Sequence, residues 1–409
     1  MGRIQKLAGL AFVLLICTCA AASEWPNFRG ANHDGISDEK LPNKDWKAKP
    51  PKELWRITLS DNGFAGPSVA AGKLYIIDHK DKRDIVRAIS IKDGKDAWPG
   101  YEYEDTDRDN YGFSRATPTY DAGQLYTLSR MGHLNCLNAA DGTLIWTRNI
   151  KTDFGGRWRG ESRGESWDYA GSPLIDGEKL IVCPGGPGAS VVALNKANGK
   201  DIWKGGGDDE PGYATPVKAT IAGKTQYVVF TARGVVGVDT ANGAQLWSSP
   251  WQTSYDVNAA TPLVIGNTVF VTSNYGSGCA LIDASANPAK QIYANKVLKA
   301  HFNSPIFYEG HIYGTGDPGE LYCIIPDTGV VKWKKTGFEK GGIMGIDGML
   351  IAINGRNGEV VLCKMTPEGY QESGRITPLG GQSWTAPIVS GGKLFVRNKT
   401  GLVCLDLNP

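Results

Sequence analysis

Ten letters, "LNAADGTLIW" at residues 137–146, return in loosened form along the chain. They reappear as "LNKANGKDIW" ending at Trp203, "VDTANGAQLW" ending at Trp247 and "IIPDTGVVKW" ending at Trp333. Self-similarity of this kind constrains the fold more than any single segment, because a repeated unit must stack on its copies to bury its faces. Each unit opens at a proline: Pro67, Pro118, Pro173, Pro216, Pro262, Pro305 and Pro387, with a degenerate copy from Gly341 filling the gap before the last. That makes eight units, mostly 40 to 50 residues apart.

Within a unit an apolar strand follows the proline, and a Gly-containing turn leads to an alternating strand such as "KLYII". A second turn opens a third strand, and an Asp/Asn-Gly turn sends the chain into the strand that carries the Trp. These are the turns hairpins require. The 53 glycines, roughly twice average usage, fit the same picture. Four antiparallel strands at this period predict an all-β fold, an eight-bladed β-propeller of four-stranded blades.

A flat residue at one fixed position can wedge between neighbouring blades. Trp98, Trp146, Trp203, Trp247 and Trp333 occupy it, with Tyr293 in the fifth unit and Ile376 in the seventh. The eighth unit ends at "GLVCLDLNP" with no such strand. The segment "PPKELWRITL" is expected to supply it, with Trp55 as the wedge, so an N-terminal strand closes the ring. Closure leaves no open sheet edge to pair with another chain, and a monomer is expected. Aligning the third strands puts Ala88, Cys136, Ala193, Gly237, Ala280, Cys323, Cys363 and Cys404 in one slot for small side chains. Cysteines at one slot in different blades lie too far apart to bridge, so they are read as buried and reduced.

Residues 1–23 read as a secretory signal: Arg3 and Lys6, an apolar run, then Ala20, Ala21, Ala22 and Ser23. The run is too short to span a bilayer comfortably, so no transmembrane span is expected in the mature chain. Residues 24–50 form a lead-in and 51–409 the propeller. A periplasmic or secreted protein is expected. Lipidation at Cys17 or Cys19 ranks second, because Ile16 and Thr18 stand where a lipobox wants a small residue. Without Arg3 and Lys6 the chain carries 42 basic and 42 acidic residues, a balance that argues against nucleic-acid binding.

The unit "PDTGVVKW", with "NAADGTLIW" and "DTANGAQLW" as looser copies, resembles the repeat of pyrroloquinoline quinone (PQQ) dehydrogenases, shared by the outer-membrane assembly factor BamB. The lead-in "WPNFRGANHDGIS" is similar to the start of many secreted PQQ-like propellers. The resemblance implies the propeller and offers two classes of function: a binding or scaffold module, and a quinoprotein oxidising alcohols or sugars with PQQ and Ca²⁺.

Function is expected on long loops over one end of the ring. The loop after Trp146 carries Arg157, Trp158, Arg159, Glu165, Trp167 and Asp168, a polar and aromatic wall for a ligand or partner peptide. Residues just before the prolines should face the channel: Tyr111, Arg115, Tyr213, Asn258, His301, Asn303 and Trp384. For a PQQ enzyme the candidate oxygen ligands are Glu165, Asp168, Asn258 and Asn303, but there is no "CC" pair and no "CxxCH". The binding module, for a protein, peptide or carbohydrate, is therefore the first reading and the dehydrogenase the alternative. No catalytic residue is assigned.

Overall fold

The computed structural model describes residues 24–106, 112–158, 167–286 and 288–409; the signal sequence, with Cys17 and Cys19, lies outside them. Eight sheets succeed one another along the chain and form the eight expected blades of four antiparallel strands. Blade 2 is typical: Thr119–Asp121 is its inner strand, then Gln124–Leu128, His133–Asn138 and, outermost, Leu144–Asn149. Blade 8 takes Ile388–Ser390, Lys393–Arg397 and Gly401–Asp406 from the end of the chain and Lys52–Thr58 from its beginning, with Trp55 opposite Cys404. The N-terminal strand thus closes the ring as the sequence predicts.

The wedges follow one geometry. Most rings lie over the turn glycine of the next blade and donate to the carbonyl three residues before it; Trp333 makes the same bond but leaves its glycine, Gly369, uncovered. Trp55 reaches Ile91 O at 3.2 Å, Trp98 reaches Ala139 O at 3.4 Å and Trp146 reaches Lys196 O at 2.9 Å. Trp203 donates to Thr240 O at 3.2 Å, Trp333 to Thr366 O at 2.7 Å and the Tyr293 hydroxyl to Pro326 O at 2.6 Å. A Cβ on Gly94, Gly142, Gly199 or Gly243 would sit 2.5–2.9 Å from the indole above it. Those glycines also hold φ of 70–79°, so the recurrent Asp/Asn-Gly is required twice over, by backbone and by packing. Trp247 is the exception. The turn it faces has no glycine, and its Nε1 donates instead to Gln226 Oε1 in its own blade at 2.6 Å.

The register corrects three details of the sequence reading. In blade 5 Leu281, not Ala280, stands opposite Tyr293, and in blade 7 Leu362, not Cys363, takes the equivalent place. The residue facing Leu362 is Gly374 rather than Ile376. Small slots (Cys136, Ala193, Gly237, Cys323, Cys404) face a Trp, whereas a leucine faces a tyrosine or a glycine. In blade 5 a larger slot residue meets a smaller ring, as close packing demands, whereas the Leu362–Gly374 pair leaves volume to be filled from outside the blade. The six cysteines described are all unpaired, and burial pushes the thiols of Cys136, Cys363 and Cys404 up to about 12.

Gly374 leaves room for a side chain from elsewhere, and the lead-in fills it. A Cβ there would lie 2.7 Å from Trp46, which is 1% exposed and belongs to the apolar cluster that includes Ile351 and Leu362 of blade 7 and Leu394 and Val403 of blade 8. The missing eighth wedge is therefore Trp46.

The rest of the lead-in crosses the channel. Trp25 bridges Val69 on the inner strand of blade 1 (2.9 and 2.7 Å), and Pro26 O accepts from Tyr120 N of blade 2. Arg29 donates to Pro305 O beside blade 6 at 2.8 Å. Ile36–Ser37 pairs in parallel with the inner strand of blade 7, Ile343–Ile346. Beyond it, Glu39 accepts from Gly391 N and Gly392 N of blade 8, and Asp347 receives Lys40 at 2.9 Å and Lys44 at 2.6 Å. Those hydrogen bonds, from Lys44 and Lys40, hold the Asp347 carboxyl down to about 2. Gly391 and Asp347 belong to turns between first and second strands, which antiparallel alternation places at the end opposite the blade-to-blade connections. The lead-in is the floor of the channel.

Candidate functional site at the channel mouth

With one end floored, the channel is a cup of about 310 Å³ whose walls are the eight blade-to-blade connections. Two positions in each connection set its lining. The residue before the proline is a small or hydroxyl side chain that ties neighbours together: Thr117 N donates to Ser172 Oγ, Ser172 N to Thr215 Oγ1 and Thr261 N to Ser304 Oγ, each at 2.9 Å. The residue two places earlier points into the cup, as Phe64, Arg115, Tyr213, Phe302 and Trp384 do.

Around the mouth, aromatic rings form a nearly continuous belt. Phe64 stacks on Trp384 (centroids 4.7 Å apart), and Trp384 meets Phe302 at 5.2 Å. His301 touches Phe302 edge-on at 4.7 Å and Tyr275 at 5.2 Å; Tyr255 lies 5.4 Å beyond Tyr275. Trp167 then meets both Tyr255 and Tyr213 at 6.2 Å. Tyr255 and Tyr275 hold φ of 62° and 52°, unusual for bulky residues and of the kind that gathers at working sites. Lys340 Nζ sits 5.2 Å from the Trp384 ring centre.

Among the residues singled out from sequence, Arg115, Trp167, Tyr213, His301, Asn303 and Trp384 line the cup together. Arg115 Nη1 also donates to Trp167 O at 2.5 Å. Asn258 is fully buried: its Nδ2 donates to Thr231 O and Trp251 O, and Ser273 Oγ donates to its Oδ1 at 3.0 Å. Asp168 is buried on Arg130, and Trp158 packs edge-on against Tyr169 under Lys151. Arg157 is exposed outside the cup. Tyr111, Arg159 and Glu165 lie outside the described residues. Sequence reasoning passed over Phe64, Phe302, Lys340 and Tyr275. The three-before-proline spacing would have found the first two, whereas Tyr275 comes from the turn between second and third strands of blade 5.

His301 bonds the Tyr275 hydroxyl through Nε2 at 3.1 Å, and its Nδ1 is buried without a partner among the described residues. Burial, then the Lys340 charge, lower its pKa from 6.5 to about 4. The neutral ring is thus the folded form's preference, and stability tied to it is present above pH 6.5 and lost as pH falls toward 4. Relative to His301→Gln, the wild type should lose unfolding free energy over that interval and show a flat difference above pH 7, measured by urea denaturation across pH.

A family profile described as outer membrane protein assembly factor BamB matches residues 105–335, more than half of the chain. The chain belongs to the BamB family. The outer membrane protein assembly factor BamB of Moranella endobia (strain PCIT) is 25% identical over 328 residues, 76% of this chain and 77% of that protein. The crystal structure of BamB from Moraxella catarrhalis has a TM-score of 0.61 at 16% identity, covering 87% of this chain and 97% of that one. A quinohemoprotein alcohol dehydrogenase from Comamonas testosteroni reaches 0.69 at 12% identity, covering 94% and 80%. At those identities the structural likeness speaks for the fold alone.

Whether a BamB-family cup also takes PQQ and Ca²⁺ depends on its donors. Ca²⁺ needs six to eight oxygens with carboxylates among them. No carboxylate lines the cup among the described residues, and no cluster of three His, Cys, Asp or Glu suited to a metal occurs there. Asp168 is held by Arg130, and Asn258 by the backbone. The described residues do not fit that pair of cofactors.

Proposed function

We propose that this BamB-family chain is an exported binding module, a scaffold in envelope assembly, that takes part of its partner into the aromatic mouth. The observation that carries this reading is a channel closed at one end and rimmed at the other by rings, with Tyr255 58% and Tyr275 44% exposed. Tyr and Trp bring large, rigid, amphipathic area to an interface and dominate binding hot spots. The relative named as an outer membrane protein assembly factor supports it, as does the signal read in residues 1–23.

A photo-crosslinking residue at position 255 tests it, against one at position 224, which is exposed at the start of the second strand of blade 4, at the opposite end. In cells, position 255 should give a discrete adduct that position 224 does not, and Trp384→Ala should weaken it. Equal or absent labelling at the two positions would remove the mouth as the binding surface.

A further inference from the structure

One sector of the mouth carries charge that no group in the chain answers. Phe64 and Trp384 stack with centroids 4.7 Å apart, and each has a lysine against its ring. Lys340 Nζ lies 5.2 Å from the centre of Trp384, and Lys399 Nζ 5.9 Å from that of Phe64. The four are neighbours in the ring. Lys340, Trp384 and Phe64 come from three successive blade-to-blade connections, and Lys399 from the second-to-third turn of blade 8. All four side chains are half-buried, and neither ammonium makes an ion pair or a hydrogen bond among the described residues. The acids nearest in sequence are engaged elsewhere. Glu339 Oε1 is 3.4 Å from Arg356 Nη1, with its Cγ against Gly319 of blade 6, and Asp61 is buried on Arg397. Lys340 also holds φ of 47°, a left-handed backbone that a lysine adopts at a cost and that gathers at working sites.

We infer that this sector docks an extended polypeptide segment of the partner in which an apolar side chain is flanked by acidic ones. The inference rests on the mouth being the binding surface, and it names the chemistry read there. Lys340 lines the cup whereas Lys399 stands outside it, so the row Lys340, Trp384, Phe64, Lys399 leads from the wall out across the rim. A segment laid along the row sets its apolar side chain on the open ring area and a carboxylate on each ammonium, in charge-assisted bonds. In an extended chain alternate residues face one way, so acid, apolar and acid at every second position meet the row together. A basic segment is repelled by both lysines, and a neutral one leaves both unmatched. A flat anionic lipid surface reaches Lys399 but not the lysine inside the cup.

The test is calorimetric titration of the chain from Glu24 onward with the peptide Ac-Gly-Glu-Gly-Leu-Gly-Glu-Gly-amide and with versions carrying Gln or Lys in place of both Glu. The Glu peptide should bind about tenfold more tightly than the Gln peptide in about 50 mM salt, and the preference should fade in about 500 mM. The Lys peptide should bind most weakly. Lys340→Asn and Lys399→Gln should each cost about threefold and together erase the preference. Asn accepts the left-handed backbone at position 340, so the melting temperature should hold. In cells the double variant should also weaken the adduct at position 255. Equal affinity for the Glu and Gln peptides, or a preference that survives the double variant, overturns the inference; an undiminished adduct at position 255 then leaves the mouth reading standing. Lysine-dependent binding to phosphatidylglycerol vesicles with no peptide binding also overturns it, in favour of a lipid surface. Selective binding of the Glu peptide without any adduct keeps the acidic-segment site and removes the scaffold reading.

Discussion

Trp46→Ala should destabilise the ring by about 3–5 kcal/mol, the range for truncating a buried Trp in a core. The indole is 1% exposed and stands in for a wedge that blade 7 lacks, where Gly374 presents no side chain. Its loss opens a cavity between blades 7 and 8, where the strand from the chain's beginning closes the ring. Trp46→Phe should cost much less. Its Nε1 has no hydrogen-bond partner among the described residues, so Phe keeps most of the ring area and gives up no bond seen there. Urea midpoints at unchanged slope read the two costs, and limited proteolysis within residues 24–50 reads the floor, which should be cut sooner in the alanine variant. An alanine midpoint equal to wild type would mean that the lead-in merely covers a ring that stands without it.

The contrast between Trp46 and the other wedges shows what the sequence made legible. Repeats announce themselves, so the blades, the closing strand and Trp55 followed from periodicity and turn chemistry alone. Trp46 sits in a segment with no copy elsewhere in the chain, and nothing local marks it as the partner of Gly374 more than 300 residues away. The same holds for the floor: Trp25, Arg29 and Ile36 look like an irregular leader until their partners on three blades are seen. At the mouth the connections could be placed from sequence, but not the direction of each side chain. Asn258 and Asp168 have the composition of ligand-binding groups, yet both turn inward because connections crossing a channel wall carry backbone groups and charges that must be met. His301 and Asn303 have the same composition and line the cup, with their unmet atoms buried behind its surface. Only the surroundings separate the two pairs.

Asp168→Asn should cost about 3–5 kcal/mol, because it takes the doubly hydrogen-bonded carboxylate away from a buried guanidinium. Arg130 is 1% exposed and donates to Asp168 Oδ2 through Nε at 2.9 Å and Nη2 at 2.5 Å, with Nη1 on Gly112 O at 2.9 Å. The pair joins the second-to-third turn of blade 2 to both connections that flank it, and Tyr169 N returns a bond to Arg130 O at 3.0 Å. Asn suits the left-handed backbone at this position, φ 63°, so the substitution removes the charge without adding backbone strain. Arg130→Met should be similarly costly, since it leaves the carboxylate buried instead. The double variant Arg130→Met/Asp168→Asn should cost less than the sum of the two single costs, because the lost pair is then counted once; denaturant midpoints of the four proteins give the coupling. The functional consequence is local. Trp167 is the neighbour of Asp168 and closes the belt between Tyr255 and Tyr213, so the single variant should lose crosslinking at position 255 before it loses the fold. If the single variants cost less than about 1 kcal/mol, an ordinary hydrogen bond's worth, the pair is not what anchors the mouth, and the rigidity of the belt must come from ring packing alone.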